Sequence, residues 1–347
     1  MARQTLNLSS PCVFLSLAAE AVAAYISKDE PGGNRGRRTM TIVILGAGVQ
    51  GTFYGIQFAQ SGHNVTLVAR GRRASELRTC GAAIRNAVTG HSDAMNLAVV
   101  ERLEPGTSAD FCFVMVRREQ LDSVLPDLKA ATLVPRIIFM VNHANGSEDL
   151  FEALGRDRVV LGFPSVAGNI NNGVVEYIVV AEQPTVLEST ALDVVACVRS
   201  ARLRVKTIAD MDSWLKRHAV FVTAVGGALY CKNCDAGLLS HDRQLVRSFI
   251  LAVREGWSAL DRRRVEPANA LLRTIFCWVP LPFAVAYWCR LLDSKRGEYY
   301  FARHTRHAIT EMAALVSDLE PLMSGYETPH LLPLHRAIND RKALADR

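Results

Sequence analysis

The sequence has no stretch long and apolar enough to cross a membrane, no dense block of lysine and arginine, and no second cysteine pair. Each absence excludes a class of function. The most apolar stretches, Pro11 to Tyr25 and Ile275 to Trp288, fall short of the roughly 20 residues a spanning helix needs. Glu20 interrupts the first, Pro280 and Pro282 the second, and only Arg3 precedes the first, which makes it a poor signal peptide. Ile275 to Trp288 is therefore expected as buried surface, a pocket wall or a subunit contact. The formal net charge of +6 over 347 residues is mild and spread out, so the electrostatic footprint of a nucleic-acid binder is missing. Cys231 and Cys234 form a lone CxxC with no second pair at zinc spacing, so no metal site is expected. Eight scattered cysteines in a chain of this size suit a reduced, cytoplasmic protein.

What remains is a chain with 49% apolar residues, ample for two cores. Residues 1 to 39 read as a leader ending in the turn-rich Asp29-Glu30-Pro31-Gly32-Gly33-Asn34. Met40 stands directly before a strand, so it is expected to be the true start and the leader dispensable. From residue 40 to 206 strands and helices alternate. Thr41 to Leu45, Asn64 to Ala69, Phe111 to Val116, Arg136 to Val141, Val159 to Gly162 and Val174 to Val180 read as strands, and Val49 to Gln60 and Glu119 to Ala130 as helices. That alternation predicts a Rossmann-type, doubly wound, mostly parallel α/β sheet. From 207 to 347 the pattern becomes helical, with Ser213 to Tyr230, Arg243 to Asp261, Leu271 to Leu292 and Thr305 to Met323 as the main helices. The boundary is expected near residues 203 to 208.

Gly46-Ala47-Gly48-Val49-Gln50-Gly51 is GxGxxG, set between the first buried strand and a helix. Gly46 permits the tight turn. Gly48 lets backbone N–H groups approach a pyrophosphate, with Val49 and Gln50 opening the helix behind it, and Gly51 allows close helix–sheet packing. The helix N-terminus turns its partial positive charge to the phosphates. An NAD site usually has a carboxylate at the end of the second strand for the ribose 2′-hydroxyl. Here that position is Arg70, followed by Arg72 and Arg73. A guanidinium binds a 2′-phosphate bidentately, so NADP is the expected cofactor.

With this strand–turn–helix, an arginine at the second strand's end and a helical C-terminal half, the chain resembles the ketopantoate reductase (2-dehydropantoate 2-reductase) family, over roughly Met40 to Pro333. Val114-Met115-Val116-Arg117-Arg118-Glu119-Gln120 resembles the family's strand-end segment, Asn142-His143-Ala144-Asn145-Gly146 its Asn-Gly loop beside the nicotinamide, and Trp214-Leu215-Lys216 its Trp-x-Lys. The resemblance implies a helical domain like the C-terminal domain of 6-phosphogluconate dehydrogenase, serving substrate binding, homodimerisation or both. It also implies NADPH-dependent reduction of a 2-oxo acid. Lys216 would be the general acid, Glu311 the substrate-hydroxyl ligand, and Arg117 a cofactor contact. Asn142 and His143 are both candidates for the nicotinamide ribose or the substrate.

The chain departs from the family pattern at Val220 and Ala224, where asparagines usually orient the lysine and substrate. These share the helix face of Lys216 at i+4 and i+8, an apolar setting that lowers a lysine pKa toward general-acid work. His218, two residues from Lys216, is expected to pack. His304 and His307 share a face but have no third metal ligand. The altered pocket leaves two alternatives to a ketopantoate-like substrate: a bulkier apolar ketone or an imine on the same fold, and an NADP-binding sensor with little catalysis.

Overall fold

The computed structural model describes residues 38–180, 183–266 and 270–346. The first 37 residues, with most of the expected leader and the Pro11 to Tyr25 stretch, lie outside the described residues. Twelve strands are described: β1 (Thr41–Leu45), β2 (Asn64–Val68), β3 (Ala82–Asn86), β4 (Ser92–Met95), β5 (Ala98–Val100), β6 (Phe111–Val114), β7 (Ile137–Phe139), β8 (Val159–Phe163), β9 (Val166–Asn171), β10 (Val174–Val179), β11 (Thr185–Glu188) and β12 (Val205–Ile208). The main helices of the first half are α1 (Val49–Gln60), α2 (Gly71–Cys80), α3 (Leu121–Ala130), α4 (Glu148–Leu154) and α5 (Leu192–Ser200).

The main sheet runs β5-β2-β1-β6-β7-β8-β11-β12. β5 through β8 are parallel, and β11 joins β8 antiparallel at the far side. β1 shows why such a run must be central: Ile42 and Ile44 enter the core beneath α1 and α5, while Val43 and Leu45 enter the core beneath α3 and α4. With both faces covered, every residue of the strand is apolar or β-branched. The chain reverses its winding between β1 and β6, and ligands bind at the carboxyl ends of strands flanking such a switch point.

The expected strand Val174 to Val180 does form, but in a separate four-stranded sheet, β4-β3-β10-β9, most of it antiparallel. This small sheet packs over α1 through contacts such as Phe53 with Tyr177, ring centroids 4.7 Å apart.

The second half follows at once. β12 ends at Ile208 and α6 (Met211–Tyr230) begins three residues later, capped by Asp210, whose carboxylate accepts from the Ser213 N–H at 2.9 Å. Then come α7 (Ala236–His241), α8 (Arg243–Arg262), α9 (Leu281–Leu292), α10 (Arg303–His307), α11 (Ile309–Met323) and α12 (Leu331–Ala345). α6 is the central helix, packed against α8, α11 and α12. Arg217 ties it to the end of α8, with Nη2 on Asp261 at 2.5 Å and Nη1 on the Trp257 carbonyl at 3.3 Å.

The expected helix Leu271 to Leu292 is interrupted. Thr274–Trp278 is a π turn, and Pro280 starts α9 afresh. A second π turn, Glu298–Ala302, leads into α10. No helix among the described residues is long and apolar enough to cross a membrane.

Candidate active site

The glycine loop has the geometry its sequence requires. Gly46 sits at φ +107°, and a Cβ there would meet the Met115 carbonyl oxygen at 2.5 Å. A Cβ on Gly51 would stand 1.8 Å from the Gly46 carbonyl oxygen. Gly48 differs: a Cβ would meet nothing within 4 Å, so the space in front of it is open to a ligand. Gly48 also caps α1 without a side-chain hydrogen bond, and no acidic residue stands in the helix's first turn. The leading N–H groups are thus available to an anion.

The three arginines after β2 have different duties. Arg70 is exposed at the start of α2, and among the described residues its guanidinium has no ion pair or hydrogen bond. Arg72, 93% exposed, pairs with Glu76 at 3.2 Å. Arg73 turns inward to brace the loop: Nε donates to the Ala47 carbonyl (3.0 Å), Nη1 to the Gly173 carbonyl of the small sheet (3.0 Å) and Nη2 to Thr52 Oγ1 (3.1 Å). Of the three, Arg70 is the uncommitted one.

A cavity of about 2950 Å³ runs from this loop into the helical half. Its lining includes Gly46, Gly48, Val49, Gln50 and Arg70 at the glycine loop and the end of β2, Arg117 and Asn142, and Glu311, His304 and His218 of the helical half. Asn142 Oδ1 is buried and has no hydrogen-bond partner among the described residues. A buried amide left unpaired costs free energy, and its position in the cavity fits the polar head of a nicotinamide nucleotide. Arg117 is largely exposed, 4.0 Å from Glu119. His143 points away from the cavity, its ring between the Val141 carbonyl and Ser147 Oγ, both at 3.1 Å.

Lys216, expected as the general acid, is not among the residues that line the cavity. The cavity face of α6 carries Trp214, His218, Phe221, Val222 and Val225. At about 100° per residue these lie within about 80° of Trp214, whereas Lys216 lies about 200° round. Val220 and Ala224, fully buried, do not line the cavity. The Lys216 ammonium is bound by Asp212, one turn earlier. Asp212 accepts from Ser147 Oγ at 3.0 Å, and Ser147 contacts His143, so this chain of bonds supports the loop that carries Asn142.

His218, expected only to pack, is the titratable α6 side chain that lines the cavity. Its ring stacks on Trp214 (4.8 Å between centroids, planes 9° apart) and meets Phe163 edge-on at 4.4 Å. No hydrogen bond holds it among the described residues. Burial, aided by His304, lowers its pKa to about 3, so near neutral pH the imidazole is uncharged, with one N–H to donate. The sequence signal was its spacing, four residues after Trp214 and hence on the same face. Glu311 on α11 lines the same cavity, without an ion pair among the described residues. Burial pushes its carboxyl up, and His304 and Arg117 partly oppose this.

The helical half also gives the cavity an apolar wall that includes Ile275, Phe283, Tyr287, Trp288 and Phe301. The stretch Ile275 to Trp288 is thus a pocket wall. The two halves are locked across the cleft by Arg118, which grips Asp318 of α11 with two bonds of 2.9 and 3.0 Å, while Asp318 also accepts from the Ala144 N–H at 3.2 Å. Nothing in the sequence signals this pair, 200 positions apart. Among the described residues no group of His, Cys, Asp and Glu could hold a metal ion.

A glycine loop at the switch point, an unpaired polar cluster beyond it and a helical domain closing the cleft have the layout of a dinucleotide-binding fold with a ligand cavity beside the loop. Residues 42–188 match the family model described as ketopantoate reductase PanE/ApbA, and over that stretch the chain is similar to this family. No curated protein matches the chain in sequence. Among solved structures, the chain is similar to a PanE/ApbA family ketopantoate reductase from Ralstonia eutropha JMP134, with a TM-score of 0.72 at 16% identity, covering 89% of this chain and 100% of that one. A D-mandelate dehydrogenase in complex with NADH and anilino(oxo)acetate gives 0.71 at 15% identity, covering 88% and 99%. A dimeric ketopantoate reductase from Staphylococcus aureus gives 0.62 at 11% identity, again covering 88% and 99%. At these identities the likeness is one of fold.

Proposed function

We propose that the protein is an NADPH-dependent reductase of a 2-oxo acid. One observation carries this reading: a single cavity joins the glycine loop and the unpaired Arg70 to three unpaired polar side chains, Asn142, His218 and Glu311. The α1 N-terminus would hold the pyrophosphate, Arg70 the 2′-phosphate and Asn142 the nicotinamide end, with Arg117 beside it. When bound, the dinucleotide supplies a hydride. The chain's own residues keep water from the carbonyl, orient it and provide the proton for its oxygen. The test is oxidation of NADPH by purified protein with ketopantoate and a panel of larger 2-oxo acids and ketones. Turnover supports the reading; tight NADPH binding with no turnover on any of them favours a sensor.

The apolar annex favours a substrate bulkier than ketopantoate. A pocket for a drug-sized ligand occupies about 300 to 1,000 Å³, so this cavity leaves room for a large apolar group against Phe283, Trp288 and Phe301 after the dinucleotide is seated. The D-mandelate dehydrogenase relative, solved with an aryl-bearing 2-oxo acid derivative, points the same way. The dimeric relative supports a homodimer, which light scattering would show. The free thiols of Cys231 and Cys234 suit a cytoplasmic setting.

A further inference from the structure

We propose that the substrate's carbonyl oxygen is held by the His218 imidazole N–H and takes its proton from Glu311, while Lys216 serves only to position the Asn142 loop. This rests on the reading of the site as a carbonyl reductase.

Three observations carry it. The helical phase of α6 sets His218 into the cavity and Lys216 on the far side. The His218 ring is fixed between Trp214 and Phe163 yet has no hydrogen-bond partner among the described residues, although it is more than nine-tenths buried. Such a group is oriented at a cost and satisfied only by something entering the cavity. Glu311, on the neighbouring helix α11, is the carboxyl in that polar cluster and has no ion pair. Lys216, in contrast, has its charge engaged by Asp212.

The chemistry balances with these groups. The incoming hydride brings both electrons of the new C–H bond, and the carbonyl π pair moves onto oxygen. The His218 N–H hydrogen-bonds that oxygen as its negative charge develops and keeps its own proton. The Glu311 carboxyl transfers its proton to the oxygen, forming the alcohol, and the carboxylate left behind is reprotonated from solvent. Burial favours these states, an uncharged His218 and a protonated Glu311. His304, Arg117, Glu119 and Tyr230 are charged or titratable groups facing Glu311, and the first two ease formation of its carboxylate.

The experiment compares wild type with His218→Ala, His218→Gln, Glu311→Gln, Lys216→Arg and Lys216→Met. Three quantities are read: NADPH affinity, kcat on the best 2-oxo acid, and affinity of that acid for the NADP⁺ complex by calorimetry. Losing one donor to a developing oxyanion costs about 10²–10³ in kcat. His218→Ala should lose that much, bind NADPH as wild type does, and bind the acid about tenfold more weakly. His218→Gln, which keeps an N–H donor, should recover part of both losses. Glu311→Gln should lose about 10²-fold and abolish the fall in reduction rate at high pH. Lys216→Arg, which keeps the pair with Asp212, should hold kcat within about threefold, and better than Lys216→Met. Wild-type levels in both His218 variants together with a dead Lys216→Arg enzyme would overturn this assignment alone. A wild type that neither reduces nor binds any 2-oxo acid overturns the underlying reading, and this assignment with it.

Discussion

Replacing Arg70 by alanine isolates the basis of cofactor choice, because this side chain is exposed at the cavity and committed to nothing else. Of its neighbours, Arg72 is paired with Glu76 and Arg73 is locked into the glycine loop. A hydrogen bond to a charged group contributes about 1.5–3 kcal/mol, and about 1.4 kcal/mol is a factor of ten in affinity. Loss of Arg70 should therefore weaken NADPH binding by about 10- to 150-fold and leave NADH, which lacks the 2′-phosphate, almost unaffected. Titration of both dinucleotides by nicotinamide fluorescence, with wild type and variant at one ionic strength, gives the ratio directly. Salt serves as a control, since the NADPH advantage of the wild type should shrink as ionic strength rises. Arg72→Ala should change little. If NADPH and NADH affinities fall together, or the ratio moves by less than about threefold, the 2′-phosphate is not held here and the preference for NADP is wrong.

Three further outcomes are expected. Asp318→Ala leaves the Arg118 guanidinium buried and unpaired and the Ala144 N–H without its acceptor. Breaking a buried pair from one side costs about 3–5 kcal/mol, so the urea midpoint should fall markedly; a loss under about 1 kcal/mol would mean that the halves do not depend on this clamp. Gly51→Ala should abolish dinucleotide binding, since its Cβ would overlap the Gly46 carbonyl oxygen; retained NADPH affinity would refute the loop assignment. Acid should destabilise the protein through histidines buried in neutral form. Burial holds His218 at about 3 and His335 at about 4, against about 6.5 unfolded. Their contribution is complete above pH 6.5 and is lost as pH falls toward 3 to 4, with about 2 kcal/mol each gone by pH 5. Urea titrations at pH 7 and pH 5 check this, and His335→Gln should reduce the difference.

The parts of this molecule that the sequence announced are those whose physics is local. β1 is apolar throughout, the loop after it needs glycine where a side chain would strike backbone, and Arg70 follows directly from β2. Glu311 and Asn142 were found through family resemblance. What stayed hidden depends on tertiary packing. Sixteen of the twenty residues of α6 are buried, so the helix has no polar stripe from which to read its phase, and Lys216 rather than His218 attracts attention. β3 and β4, Ala82–Asn86 and Ser92–Met95, are short and polar enough to pass for loop. The roles of Arg73 and Arg118 depend on acceptors 100 and 200 residues away, Gly173 and Asp318.

The two π turns, Thr274–Trp278 and Glu298–Ala302, both lie in the substrate wall and send Ile275 and Phe301 into the cavity. A π turn is an α-helical turn with one residue added. Such a wall can be reshaped by insertion or deletion of a single residue, which at the second turn rotates the side chains of α10 that follow by about 100° and leaves the fold intact. Diversification of substrate range on this scaffold should therefore show itself as changes of length at these two turns, more than as substitutions around the glycine loop.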